Sequence, residues 1–329
     1  MQKYTNNTGV SLALAVWLAR DEYDHNNDKN VISVTTLLKS TKQIVLSSRV
    51  PPGTLPPDVG GLVASRMGTA IHNAIENSWV NHYEECMASL GYPKRVIDMI
   101  AINPDPKNLP EDCIPIYMEI RSDKEIEGMT ISGKFDFVAE GKVKDFKSTS
   151  TFTYVNKTNE WKQKMQGSIY RWLNQDIITS DIMEIDYIFT DWKGGQAYNS
   201  KYPKSKVLTY PIHLASIPET ENFIRDKVLQ IKNLWDKPEG SMPACTSEEL
   251  WRKAPKFKYF KNKANAAKKG SRSTKNYDTL VEANTRLSDD GYVGIVVTDA
   301  GGVTACKYCD AFSLCTQKDN YLADGSLKL

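Results

Sequence analysis

The stretch GKFDFVAEGKVKDFKSTS, Gly133 to Ser150, constrains this chain more than any other. Two runs of alternating apolar residues flank Glu140-Gly141, a turn signal, so the stretch predicts a β-hairpin. Folding there sets Ala139 opposite Lys142, Val138 opposite Val143, Asp136 opposite Asp145 and Lys134 opposite Lys147. Side chains alternate faces along a strand, which puts Asp145 and Lys147 on one face. Two opposed carboxylates with Cβ atoms roughly 5 Å apart repel by about 3 kcal/mol at an effective dielectric of about 20. A divalent cation removes that penalty, because hard cations take convergent carboxylate oxygens. A lysine beside such a site can hold a water or offset charge on a phosphate. The alternative is a solvated hairpin decorated with charges.

The 329 residues suffice for one large domain or two ordinary ones. A helical pattern runs from about Met67 to Leu90, with Ile71, Ile75 and Trp79 on one face, and Gly91 and Pro93 end it. Strands follow at IPIYMEIRS, ISGKFDFVA and KVKDFKS, then a helix over residues 160–175. MEIDYIFTDW and VLTYPIHLA read as strands, and ETENFIRDKVLQIKNLW as a helix. This order predicts an α/β core on a mixed sheet flanked by helices. From Pro238 onward Gly, Pro, Lys and Cys dominate. The predicted division is a helical extension over 1–30, a core over 31–240 and a C-terminal module over 241–329.

A net charge of +2 gives no global field for nucleic acid or membranes, so any basic surface is local. The apolar run SLALAVWLA, Ser11 to Ala19, is too short to span a bilayer. It lacks a basic leader and reads as a buried amphipathic helix with Thr8 or Ser11 as N-cap. A cytoplasmic location is expected, with no membrane partner. There, six cysteines argue for metal rather than disulfides. No GxxxxGK[ST] loop occurs, so no nucleotide-driven motor is recognisable.

Gly133-x-x-Asp136 followed by Asp145-Phe146-Lys147-Ser148 resembles the core of the PD-(D/E)XK nucleases. It is most similar to the RecB-like branch, which includes AddB nuclease domains, CRISPR-associated RecB-like exonucleases and phage-encoded members. Two further marks of that branch occur in order. Gly68-Thr69-Ala70-Ile71-His72 matches its histidine helix, and Gln166-x-x-x-Tyr170 its helix after the lysine strand. Residues Ile32 to Arg49 also resemble the entry to these enzymes. The resemblance implies a restriction-endonuclease-like fold over most of 30–240. It implies Mg²⁺ or Mn²⁺ held by Asp136, Asp145, His72 and the carbonyl of Phe146, with Glu119 as a candidate extra carboxylate. Lys147 would orient or activate water, and Gln166 and Tyr170 would position the lysine or the DNA strand.

Cys306, Cys309 and Cys315 form C-x2-C-x5-C, and Cys245 is the best candidate for a fourth ligand. Cys86 and Cys113 read as small buried hydrophobes. Spacing alone leaves zinc and iron–sulfur open. The resemblance implies a [4Fe-4S] cluster, with Zn²⁺ as the alternative. In the family the first cysteine precedes the histidine helix, where this chain carries Ser40 and Thr41, so the fourth ligand is relocated. Arg252 to Lys275 holds ten Lys/Arg and no acid, with aromatics interleaved. Lys256, Lys258, Tyr259, Lys261, Lys268 and Lys269 are candidate DNA contacts, lysines for phosphates and tyrosine for a base; a solvated charged loop is the alternative.

The expected function is a metal-dependent exonuclease on DNA ends or single strands, in recombination, repair or phage genome processing. A separate helicase, recombinase or single-strand-binding protein would be its partner, in the host cytoplasm if the chain is phage-encoded. The rivals are a structure-specific endonuclease, a non-catalytic nucleic-acid-binding protein, and a zinc-ribbon transcription factor, which would leave the hairpin unexplained.

Overall fold

The structure is a computed structural model that describes residues 3–21, 28–51, 53–54, 56–268 and 270–328. The chain forms two compact units: Met1–Leu38 with Pro51–Lys232, and Lys39–Val50 with Asn233–Leu329. Residues 3–21 and 28–30 fall in the first unit, and residues 39–50 fall in the second.

The first unit begins with α1 (Leu12–Ala19), β1 (Val31–Ser33) and α2 (Val34–Leu37). Helix α3 (Thr41–Ser47) lies in the second unit. The first resumes with α4 (Val63–Ser89), α5 (Lys94–Asp98), β2 (Ile100–Ile102), β3 (Ile114–Met118), β4 (Arg121–Ile126) and β5 (Met129–Lys134). Then come β6 (Phe137–Ala139), β7 (Lys142–Thr149), α6 (Thr151–Val155), α7 (Glu160–Leu173), β8 (Ile182–Phe189), β9 (Val207–His213) and α8 (Ile217–Leu234).

The architecture is mixed α/β. Six strands form a mixed sheet in the order β2-β3-β6-β7-β8-β9, and three form a second in the order β1-β5-β4. β7 and β8 are parallel, which requires a crossover, and α6 and α7 supply it. α7 buries Met165, Ile169 and Trp172, one stripe at helical spacing. Ile116, Met118 and Phe137 form a core cluster that Trp79 of α4 and Phe146 of β7 cover. Among the described residues no helix is long and apolar enough to cross a membrane.

The hairpin turns at Glu140 and Gly141, whose φ angles are 52° and 70°, the left-handed pair a two-residue hairpin needs. Its register pairs Ala139 with Lys142, Val138 with Val143 and Phe137 with Lys144, as the sequence predicts. The ladder stops there. ISGKFDFVA is not one strand: β5 ends at Lys134, in the three-stranded sheet, and β6 starts at Phe137, in the six-stranded one. Asp136 sits in the bend between them. Lys134 therefore pairs with Arg121 of β4, not with Lys147.

Gly133 explains itself sterically. A Cβ there would lie 2.7 Å from Leu173 Cδ1, 2.8 Å from Val34 Cγ2 and 3.2 Å from Tyr170 Cδ1. Gly133→Ala is expected to lower stability by about 1–2 kcal/mol, because overpacking outweighs the backbone entropy alanine saves. Urea denaturation measures this; an unchanged or raised midpoint would contradict the packing.

α1 departs from expectation. Ser11 occupies the N-cap without a side-chain hydrogen bond, while Thr8 bonds Asp58 instead. Only Leu18 is buried, and Leu12, Leu14 and Val16 are exposed. The helix is apolar on every side, so packing one face leaves the others in solvent.

In the second unit β10 (Lys256–Phe260), α9 (Lys263–Ala267), β11 (Lys275–Tyr277), α10 (Leu280–Asp289) and β12 (Ile295–Asp299) precede α11 (Gln317–Ala323). The strands form an antiparallel sheet in the order β11-β10-β12. α10 opens with a capping box between Thr279 and Glu282. The basic stretch is thus partly strand, not a loop.

Candidate active site

Four elements of the first unit converge on one cavity of about 300 Å³. α4 contributes His72, β7 contributes Asp145 and Lys147, α7 contributes Gln166 and Tyr170, and the bend before β6 contributes Asp136. Glu119 enters from the corner between β3 and β4, at a φ of 53°. That conformation is uncommon for a residue with a Cβ and is found where structure over-determines it. Glu119 pairs with Lys134, a charge that the predicted ladder had set opposite Lys147.

His72, Glu119 and Asp136 each offer a donor atom, all within 4.8 Å of one another. Asp145 is not in this group, so the tight set contains Glu119 where the sequence argument favours Asp145. His72 Nδ1 lies 3.5 Å from Asp136 Oδ1, and its Nε2 lies 2.9 Å from the carbonyl oxygen of Phe146. Burial alone would lower the His72 pKa, but the Asp136 hydrogen bond and charge reverse this and raise it. The Phe146 amide donates to Asp136 Oδ2 at 3.3 Å, which ties the bend to β7.

Asp145 is 2 % exposed. Burial pushes its carboxyl up, against the pull of Lys147. Lys147 Nζ approaches Asp145 Oδ1 at 2.8 Å and Oδ2 at 2.7 Å. Burial opposes the lysine charge, but Asp145 and Asp136 outweigh it and raise its pKa, so Lys147 is an ammonium at neutral pH. Glu119 is also raised, first by burial and then by Asp136 and Glu76, with Lys134 opposing. Gln166 donates to the Tyr170 hydroxyl at 2.9 Å, one helical turn apart. Arg66 and Arg121 line the cavity too, and Arg121 donates to Ser132 Oγ at 3.1 Å. Neither lies in a sequence motif, though Arg121 stands two residues after Glu119.

In the second unit Cys245, Cys306, Cys309 and Cys315 lie near enough to sense each other's charge. Burial first raises Cys245, Cys309 and Cys306, with Glu249 and then Cys315 adding at Cys245 and neighbouring thiols at the others; Cys306 rises to about 11. Ser40, the residue before α3, places Oγ 3.3 Å from Cys245 Sγ. Gln317 brackets Cys245, accepting from its amide at 2.9 Å and donating to its carbonyl at 3.1 Å. All six cysteines are free thiols; Cys113 is half-buried and Cys86 is exposed, not a buried hydrophobe.

The candidate DNA contacts divide. Lys256 pairs with Asp278, and Lys258 with Asp299 at 2.6 Å. Tyr259 is fully buried and donates to Asp290 at 2.6 Å. It is core of the β10 sheet, with no face for a base. Lys261 and Lys268 are exposed; Lys269 lies outside the described residues.

No protein-family model matches the chain, and no curated protein matches it. The crystal structure of SSO0001 is similar to it at a TM-score of 0.41 and 14 % identity, over 68 % of this chain and 87 % of that one. A likeness that distant bears on neither family nor function.

Proposed function

We propose that the chain is a metal-dependent DNA nuclease of the RecB-like PD-(D/E)XK branch, with a restriction-endonuclease-like core, acting on DNA ends or single strands. One observation carries this: His72, Glu119 and Asp136 converge within 4.8 Å beside an Asp145–Lys147 pair at 2.7 Å. A structural hairpin has no use for three buried or half-buried acids around one point, since each costs desolvation. The donor set suits Mg²⁺ or Mn²⁺, being hard oxygens with one imidazole. Asp145 is buried and both its carboxylate oxygens face the Lys147 ammonium, at 2.8 Å and 2.7 Å, so its charge is held at the cavity wall. Asp136, Asp145, His72 and the Phe146 carbonyl would hold the ion, with Glu119 as a further carboxylate. When bound, it supplies Lewis-acid charge and an acidified water for phosphodiester hydrolysis.

The chain's own groups do the rest. Lys147, held as an ammonium, stabilises the negative charge that builds on the phosphate oxygens. It orients the attacking water rather than accepting its proton. Gln166 and Tyr170, locked to each other, border the strand's path.

Cys245, Cys306, Cys309 and Cys315 would hold a [4Fe-4S] cluster, with zinc as the runner-up. Among the described residues no three of these thiols have sulfurs all within 4.8 Å. Both centres take four thiolates, and the resemblance of C-x2-C-x5-C to the family's cluster motif is what favours iron–sulfur.

The test is cleavage with Mn²⁺ of linear single strands, linear duplex and covalently closed circles. Loss of the linear forms with circles intact is expected. Cut circles would make the chain an endonuclease, and no cleavage of any form would leave a binding protein.

A further inference from the structure

We propose that Trp17 and Arg66 form a nucleotide subsite beside the catalytic cavity, which takes one unpaired nucleotide of the substrate strand. The proposal rests on the nuclease reading and names the kind of strand the site would take. A second cavity of about 150 Å³ is lined by Trp17, Arg20, Arg66, Thr69, Ala70 and Asn73. Arg66, Thr69 and Asn73 also line the catalytic cavity, so one wall serves both. These three lie at i, i+3 and i+7 of α4 and form one stripe about 10 Å long. Asn73 adjoins His72, so the stripe runs from the candidate metal ligands to Trp17.

Arg66 fixes the geometry of the far end. Its Nε donates to the Leu18 carbonyl at 3.0 Å, and its Nη1 meets Asp21 Oδ1 at 3.3 Å. This pins the end of α1 to α4 and holds Trp17 at the cavity wall. Trp17 is 38 % exposed; its carbonyl accepts from the Arg20 amide, and among the described residues its side chain shows no ring contact or hydrogen bond. A packed core has no need of so large a ring at its rim. A free nucleobase stacks on such a face whatever its sequence, and a guanidinium beside it takes a phosphate. A base inside a duplex is already stacked and cannot reach the ring.

The test is binding of a labelled single-stranded oligonucleotide, without divalent ions, measured by anisotropy. Trp17→Ala is expected to weaken single-strand binding about tenfold, in line with one lost stacked base, and to leave blunt-duplex binding unchanged. Trp17→Phe, which keeps a stacking face, is expected within about threefold of wild type and guards against a folding defect. Wild-type affinity in Trp17→Ala overturns the proposal, as does an equal loss on blunt duplex or a change of oligomeric state. The last would assign the face to a second copy. Cleavage with Mn²⁺ is scored separately. Trp17-dependent binding without cleavage keeps the subsite and removes the nuclease, and cleavage with Trp17-independent binding does the reverse.

Discussion

Lys147→Ala is expected to lower Mn²⁺-dependent cleavage by about a thousandfold, the scale for removing one preorganised group from a developing charge. The same change is expected to cost about 2 kcal/mol of stability without divalent ions, because Asp145 keeps its burial and loses its cation. The figure stays below that for a sealed pair, since the lysine side chain is 35 % exposed. Added Mn²⁺ is expected to restore the melting temperature of Lys147→Ala and not its activity, because the ion replaces the charge and not the ammonium. Asp145→Asn separates the roles further. It relieves the buried acid, so it is expected to melt near wild type, yet its melting temperature no longer rises with Mn²⁺. Calorimetry with and without Mn²⁺, beside a cleavage assay, reads all of this. Wild-type cleavage by Lys147→Ala would remove the enzyme reading.

The hairpin was legible because its information is local. Glu140-Gly141 dictates the turn, and alternation on either side dictates the pairs. The break at Phe135–Asp136 was not legible, for a physical reason. Phe135 and Phe137 are both buried, so the apolar alternation continues across the point where the chain leaves one sheet for the other. Pattern reports burial and not which sheet does the burying. That break is what frees Lys134 to reach Glu119, and it takes Asp136 out of the ladder and into the bend. Glu119 was legible only as an acid near the end of a strand; its left-handed φ follows from the tertiary corner. β10 is a different case. Lys256, Phe257, Lys258 and Tyr259 alternate as a strand should, but a run rich in lysine reads as loop when charge is weighed above period. Tyr259, expected as a base contact because aromatics interleave the lysines, is core of the β10 sheet instead. Arg66 and Arg121 carried no local signal, because their place at the cavity comes from α4 packing on β7 and from β4 pairing with β5.

Cys309→Ser is expected to abolish incorporation of metal and to unfold the second unit. Cys245, Cys306 and Cys309 resist ionisation while they stand alone, Cys306 most clearly, whereas a metal site needs thiolates. Only a bound cationic centre offsets four converging negative sulfurs, so its binding free energy becomes folding free energy of that unit. The sharper experiment uses Ser40. Its hydroxyl lies 3.3 Å from the Cys245 sulfur, so a thiol at either position reaches nearly the same point. Cys245→Ser is expected to lose the metal as Cys309→Ser does. Adding Ser40→Cys to Cys245→Ser is expected to restore both metal content and melting temperature, because the donor returns from α3's first cap instead. Metal analysis and the visible spectrum of anaerobically purified protein report the outcome, with charge transfer from thiolate to iron separating a cluster from colourless zinc. Failure of the double variant would show that position 40 cannot supply the donor, and full metal content in Cys245→Ser alone would remove that cysteine from the site.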